Sequence, residues 1–317
     1  MTRIEVAVLL PCRDEAATIG RVVRDFRAVL PHASIYVFDN NSDDETASMA
    51  RQAGAIVRAE ARAGKGHVVR RMFRDIEADY YLIADGDDTY DASLAPSLLA
   101  LARNGPFDLV NCVRAATDPA AFRRGHRLGN AALTWAVRRL FGDQVRDMLS
   151  GYKILSRRFV KSFPAVSGGF DIETEIAVHA LELSIGIAHL EGRYRARPAN
   201  SASKLRTYAD GWRIARMILR LVRHERPLLF FSAIGSLAII AALALAAPLF
   251  LTYWRTGLVP RLPTAVLATG LVLTGLLSVT TGLVLDTVTR GRRELRLLAF
   301  LALPAPRPAE DQASPPP

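Results

Sequence analysis

The chain has 317 residues, half of them hydrophobic, with a formal net charge of +10 and two cysteines. This is enough apolar material for one medium α/β domain plus an appendage, which excludes a disordered chain. Cys12 and Cys112 are too few and too far apart for a disulfide framework or a zinc cluster, so both are expected as reduced packing residues. The positive charge gathers beside apolar runs, with Arg206, Arg213, Arg216, Arg220, Arg223 and Arg226 before one and Arg290, Arg292, Arg293 and Arg296 after another. That placement points to a membrane surface and away from nucleic acid.

At the start, Arg3, Glu5 and Pro11 leave no apolar core of signal-peptide length, so the N-terminal domain is expected in the cytoplasm. Short apolar runs at Glu5–Leu10, Ser34–Phe38, Ala55–Val57, Tyr80–Ala84 and Leu109–Val113 read as strands. Segments of helical spacing, such as Ile19–Leu30 and His67–Ile76, separate them. The alternation predicts an α/β fold, a Rossmann-like, mostly parallel sheet with helices on both faces.

Ligands of such sheets bind beyond the carboxyl ends of the strands. Three acidic clusters stand there: Asp14-Glu15, Asp39-Asn40-Asn41-Ser42-Asp43-Asp44 and Asp85-Gly86-Asp87-Asp88. In the last, Asp85 and Asp87 alternate in an extended turn and can share a divalent cation, with Gly86 allowing close approach. Hard oxygen ligands suit Mg²⁺ or Mn²⁺ completed by water and phosphate oxygens, although an Asp-Gly-Asp also fits an ordinary turn. Ser42-Asp43-Asp44-Glu45 has the spacing of a capping box for the next helix, which leaves Asp39 to reach a base or ribose. Arg62-Ala63-Gly64-Lys65-Gly66 precedes a helix, where backbone N–H groups and a lysine favour phosphate; a plain glycine turn fits equally well.

Further on, Tyr208 to His224 places Arg213, Arg216, Arg220 and Arg223 on one helical face, as in a helix lying in the membrane interface or a solvated basic helix. Leu228–Leu251 and Leu262–Leu285 are uncharged and long enough to cross a hydrocarbon core of about 30 Å. Tyr253 to Arg261 forms the turn between them. The Arg-rich outer flanks place both ends of this hairpin in the cytoplasm. The expected organisation is a domain over 1–205, a basic amphipathic helix over 206–227, two transmembrane helices within 228–289 (about 228–251 and 262–285), and a basic, Pro-rich tail over 290–317. This describes a multi-pass protein of the cytoplasmic (inner) membrane with its domain and both termini inside.

From Val6 to Lys204 the chain resembles the family-2 glycosyltransferases of GT-A fold, and within them the polyprenyl-phosphate sugar transferases. The resemblance rests on Leu9-Leu10-Pro11-Cys12-Arg13-Asp14-Glu15-Ala16, Phe38-Asp39-Asn40-Asn41-Ser42-Asp43-Asp44-Glu45-Thr46, Asp85-Gly86-Asp87-Asp88-Thr89-Tyr90-Asp91, Ser150-Gly151-Tyr152-Lys153 with Asp147 before it, and Tyr194-Arg195-Ala196-Arg197-Pro198-Ala199-Asn200-Ser201-Ala202-Ser203-Lys204. Asp14, Asn40 and Asn200 depart from the family's usual Asn, Asp and Gly. The resemblance implies that Pro11, Glu15 and Asp39 hold the nucleotide and that Asp85 and Asp87 serve a metal and the diphosphate; the nucleotide-sugar site is expected to include Arg13, Asn41, Lys65, Asp85 and Gly86 as well. The resemblance also implies an acceptor-phosphate site drawing on Ser150, Lys153, Arg197, Ser201 and Lys204. Arg123, Arg124 and Arg127 join that site or belong to a solvated helix face. Glu173 either approaches the donor sugar or favours a helix start.

The implied reaction moves a sugar, a UDP-linked hexose or N-acetylhexosamine by preference, to a polyprenyl phosphate. A lipid phosphate with a second pKa near 6 is already an oxygen nucleophile at about pH 7, so no dedicated base is required. Catalysis then falls to Asp85 and Asp87, with Glu173 and Asp147 as supporting carboxylates. A transferase acting on a lipid hydroxyl or polysaccharide would need a base, and Asp147 and Glu173 are the candidates. A non-catalytic adaptor binding anionic lipid is the reading from another class. Partners are the nucleotide-sugar, the lipid acceptor and the bilayer, with a homo-oligomer left open.

Overall fold

The computed structural model describes residues 4–116, 135, 138–139, 142, 144–165, 172–195, 216 and 218–305. The chain divides into two units, Met1–Ile214 with Leu295–Pro317, and Ala215–Glu294.

Among the described residues the first unit is built on seven strands, β1 (Ile4–Cys12), β2 (Ser34–Asp39), β3 (Ile56–Ala59), β4 (Ala78–Ile83), β5 (Phe107–Ala116), β6 (Lys153–Ser156) and β7 (Gly186–Tyr194). They lie in the order β3-β2-β1-β4-β6-β5-β7. All neighbours pair in parallel except β6, which runs antiparallel to both β4 and β5. Helices α1 (Ala16–Val29), α2 (Thr46–Gln52), α3 (Lys65–Asp75), α4 (Ala95–Asn104), α5 (Arg157–Ser162) and α6 (Ile172–Glu182) cover the sheet.

Strand β1 shows why two covered faces are needed. Val6, Val8, Leu10 and Cys12 join one apolar cluster with α1 and α4, while Ala7 and Leu9 join another with α3, α5 and α6. A strand buried on both sides reads as a continuous apolar run, which is how the sequence presents it. Both cysteines are free and buried, as expected.

Two strands go beyond the sequence reading. The four residues of β6 are all buried and show no alternation, so periodicity has nothing to mark. Strand β7 contains Gly186 and Gly192, residues that weaken a strand signal.

One local expectation is corrected. The capping box at Ser42–Glu45 does not form, because α2 begins at Thr46 and its preceding residue, Glu45, makes no side-chain cap bond. Ser42 Oγ instead accepts from Asp14 N (2.9 Å) and Asp44 Oδ2 from Ala16 N (3.0 Å). These side chains satisfy the loop that opens α1, and Asp44 Oδ1 in addition accepts from Thr46 N (3.0 Å) at the start of α2.

The second unit contains helical residues 216 and 218–225, α7 (Pro227–Thr256) and the part of α8 (Leu262–Leu301) up to Glu294. Both long helices are long and apolar enough to cross a membrane. Only Pro227, Gly235 and Ala242 of α7 are buried, and Leu237, Leu243 and Leu277 are 70, 61 and 68% exposed, which is not how core helices of a soluble protein look. The two pack through small residues: a Cβ at Gly235 would come within 2.7 Å of the Gly275 carbonyl, and Ser278 donates to Phe231 O at 2.9 Å. Close backbone approach of this kind is the usual basis of helix association in lipid.

The turn is shorter than expected. Tyr253 to Thr256 stay helical, and Gly257 ends α7 in the left-handed region with φ 69°, a position where glycine carries no Cβ penalty. Part of the basic flank works locally. Arg293 Nη2 donates to Glu225 O at 2.7 Å and Arg292 Nη2 to His224 O at 3.3 Å, placing cations at the carbonyl end of helical residues 218–225. Residues 290–301, expected as tail, continue α8.

Candidate active site

The loops after β1, β2 and β4 each contain a non-glycine residue at positive φ, namely Asp14 (54°), Asn41 (54°) and Asp88 (56°). Aspartate and asparagine tolerate this conformation better than other side-chain-bearing residues, and such turns let the chain leave a strand abruptly while exposing backbone donors and acceptors. Register brings the strand ends level, with Cys12 opposite Asp39 and Asp39 opposite Ala59.

Side chains then tie the loops together. Glu15 N donates to Thr46 Oγ1 (2.8 Å) and Asp43 N to Asp14 Oδ1 (2.9 Å). Thr18 Oγ1 donates to Gly86 O at 2.8 Å, fixing the Asp85–Asp87 turn to α1. Asn40, 5% exposed, donates through Nδ2 to Glu60 O (3.0 Å) and Arg62 O (2.8 Å) and accepts from Gly64 N (2.7 Å). Asn41 Nδ2 adds a bond to Ala61 O at 2.6 Å. The segment before α3 is thereby a held loop, with Gly64 at φ 125°.

Lys65, first residue of α3, lies between two acids: its Nζ is 2.6 Å from Asp85 Oδ1 and 2.5 Å from Glu173 Oε1, on the first turn of α6. Burial opposes the Lys65 charge, but Asp85 and Glu173 outweigh it and raise its pKa. Glu173 Oε2 is buried with no hydrogen-bond partner among the described residues. Asp87, 1% exposed, accepts from Thr89 N (3.2 Å) and Thr89 Oγ1 (2.6 Å). Burial pushes the Cys12 thiol well up, and Glu15, Asp85, Asp39 and Asp87 push it further.

A Cβ on Gly86 would overlap the Cys12 sulfur, and one on Gly151 would overlap the Asp85 carboxylate. A side chain at either position would displace the Cys12 thiol or the Asp85 carboxylate from the acidic turn. Among the described residues no three His, Cys, Asp or Glu side chains form a metal cluster. A pair of hard carboxylates that leaves the remaining positions to water and diphosphate is nevertheless the donor set that Mg²⁺ and Mn²⁺ use, so the residues fit such an ion.

A second group lies beside this one. Arg114, directly after the predicted end of the fifth strand, pairs with Asp147 in a two-point arrangement at 2.7 and 2.8 Å. Its guanidinium is 5.4 Å from the centre of the Tyr194 ring. Burial pushes the Asp147 carboxyl up, but its bonds and attraction to Arg114 win and hold it below the usual range. Lys153 is 3% exposed and donates to Asn111 Oδ1 (2.9 Å) and Ser150 O (2.6 Å). Burial pulls its pKa down to about 8 against Asp147 and Glu173, which raise it. Tyr90 Oη accepts from Gly151 N at 2.7 Å.

The structure therefore brings Pro11, Glu15, Asp39, Asn41, Lys65, Asp85, Gly86, Asp87 and Glu173 to one end of the sheet. Arg13 is on the same loop with its side chain about half exposed. Ser150, Lys153 and Asp147 are buried beside it. Arg123, Arg124, Arg127, Arg197, Ser201 and Lys204 lie outside the described residues. Asn40, Asn111, Arg114 and Tyr90 are additions; Arg114 was within reach of the strand-end rule, and Asn40 was visible only as a departure from the family motif.

Residues 7–163 match the family described as glycosyl transferase family 2. The glycosyltransferase AglJ of Haloferax volcanii is 32% identical over 291 residues, covering 91% of this chain and 95% of that protein. The dolichyl-phosphate hexose transferase of the same organism is 26% identical over 222 residues, covering 70% and 96%. Among solved structures, glucosyl-3-phosphoglycerate synthase of Mycobacterium tuberculosis in complex with Mn²⁺, UDP-glucose and phosphoglyceric acid superposes with a TM-score of 0.58 at 23% identity, covering 68% of this chain and 79% of that one. This last likeness establishes the GT-A type of the sheet domain. A relative of this identity along nine-tenths of the sequence does more: the chain belongs to the family-2 glycosyltransferases.

Proposed function

We propose that this glycosyltransferase moves a sugar from a nucleotide-sugar, a UDP-linked hexose or N-acetylhexosamine, to a polyprenyl phosphate at the cytoplasmic face of a membrane. The observation that carries the reading is a carboxylate-and-lysine site on a chain that continues into two helices long and apolar enough to cross a bilayer. An acceptor that is itself a membrane lipid gives such an anchor a purpose. A relative named for transfer to dolichyl phosphate supports the same acceptor.

Asp39 would hold the nucleoside, with Pro11, Arg13, Glu15 and Asn41 lining its loop. Asp85 and Asp87 would hold Mg²⁺ or Mn²⁺, which when bound supplies neutralisation of the departing diphosphate. Lys65, already placed on Asp85, would add a fixed positive charge at the phosphates. Glu173 would orient the donor sugar through Oε2, which has no partner among the described residues. The lipid phosphate would be held by Ser150, Lys153, Arg197, Ser201 and Lys204, with Arg123 and Arg127, and needs orientation more than deprotonation. The two-point pairing of Asp147 with Arg114 weakens it as a base, which counts against a hydroxyl acceptor. The proposed organisation keeps the domain over 1–205, the juxtamembrane helix over 206–227 and the spans within 228–289, both flanks facing the cytoplasm.

The test supplies purified full-length protein with UDP-linked or GDP-linked sugars, Mn²⁺ or Mg²⁺, and either polyprenyl phosphate or the dephosphorylated alcohol. Transfer to the phosphate, lost in Asp87→Asn, is expected. Product formed only from the alcohol rejects the acceptor, and an unimpaired Asp87→Asn rejects the site.

A further inference from the structure

The helix that carries Glu173 is held at both ends, and its second holder comes from far along the chain. Glu173 on the first turn of α6 meets Lys65. Nine residues on, about 13 Å at the α-helical rise, Glu182 is 2% exposed at its side chain and its Oε2 is 2.5 Å from Arg296 Nη1. Arg296 belongs to the end of α8, in the stretch from Leu295 onward that groups with the sheet domain.

Phe300 follows one turn later on the same helical face. It is 5% exposed and lies in the apolar cluster that contains Ile172, Ile176 and Ala180 of α6. The Arg158 guanidinium lies 4.5 Å from its ring centre, and Arg158 makes two 2.7 Å bonds to Asp108 on β5. A membrane anchor as such needs neither a buried ion pair nor an aromatic residue in an enzyme's core. A buried carboxylate is costly to place unless its partner is well positioned, so the Glu182–Arg296 contact specifies where the C-terminal end of α6 lies.

We propose that residues 295–301 of α8 are a working part of the transferase domain, in which Arg296 and Phe300 are positioning residues that set α6 and, through this stiff helix, Glu173. The inference rests on Glu173 being a residue of the active site.

Full-length protein in detergent is compared as wild type, Arg296→Ala, Arg296→Lys, Phe300→Ala and Phe300→Leu, with two readouts. Hydrogen–deuterium exchange over residues 172–182 reports the clamp without reference to catalysis. It is expected to rise about tenfold in Arg296→Ala and Phe300→Ala and to return most of the way in Arg296→Lys and Phe300→Leu. Sugar transfer is expected to show kcat lowered about tenfold in the alanine variants with the donor KM within about twofold, and recovery in the milder pair. If an alanine variant does not fold, the milder variant at that position carries the comparison through a smaller rise in exchange. Exchange and kcat within twofold of wild type at both positions overturn the proposal. A wild type that transfers no sugar overturns the functional reading instead, and the exchange measurement still decides the clamp.

Discussion

Replacing Lys65 with methionine removes the cation between Asp85 and Glu173 while keeping the side chain's length. The Lys65, Asp85 and Glu173 side chains are 12, 28 and 8% exposed, so solvent screens the contacts only partly. Breaking a buried ion pair by deleting one partner costs roughly 3–5 kcal/mol; access of water to Asp85 argues for the lower end, about 3 kcal/mol. At about 2–4 °C per kcal/mol for a domain of this size, the melting temperature should fall by roughly 6–12 °C. The sign with pH follows from the direction of the shift. The folded-state pKa of Lys65 is raised, so in the wild type its contribution is fully present below the ordinary lysine value and is lost only as pH rises through a still higher one. Between about pH 5 and pH 8 it is constant. The deficit of the variant should therefore be the same at about pH 5 and pH 8 as far as Lys65 sets it. Scanning fluorimetry of full-length protein in detergent reads this directly. A variant that melts within about 2 °C of wild type at about pH 8 would refute the reasoning.

Gly151→Ala places a methyl group against the Asp85 carboxylate. Because the displaced group is a side-chain end, stability should fall by about 1 kcal/mol while transfer falls at least about tenfold, measured by melting and by initial rates. Lys153 titrates at about 8 in the folded protein, below the unfolded value near 10.4. The unfolded chain therefore binds more protons between these values, and folding gains stability as pH rises through that window. Relative to Lys153→Met, the wild type should improve by up to about 3 kcal/mol between about pH 7 and pH 10.5, read as a converging or crossing pair of melting curves; parallel curves would count against a buried, easily deprotonated lysine.

What the sequence disclosed, and what it withheld, follows the range of the interactions. Strands β1, β2 and β4 were legible because each is a largely apolar run with an aspartate at its end or two residues beyond it (Asp14, Asp39 and Asp85), and both signals lie within a dozen residues. The acidic turn at Asp85–Asp87 was legible for the same reason. Lys65 could be read as a phosphate-seeking residue from its place before a helix, but its contact with Glu173 spans more than a hundred positions and no local pattern encodes it. Ser42 misled because its spacing satisfies a local rule while its oxygen accepts from Asp14 N. Asp44 serves both sides, with Oδ1 accepting from Thr46 N at the start of α2 and Oδ2 from Ala16 N at the start of α1.

Asn40 shows how a departure from a family motif can carry information. Its carboxamide donates to two carbonyls, of Glu60 and Arg62, and accepts from Gly64 N–H. An aspartate at this place could keep the last bond but would set negative charge against both carbonyl oxygens. The loop so held presents Lys65 to Asp85 and Glu173, so the amide governs the charge arrangement of the site without belonging to it. Asp14, Ser42, Asp44 and Thr46 likewise join the first two loops. The acidic clusters after the strands thus divide by role: some carboxylates are consumed in fixing loops to one another, and that rigidity lets Lys65 hold Asp85 and Glu173 on either side of its cation.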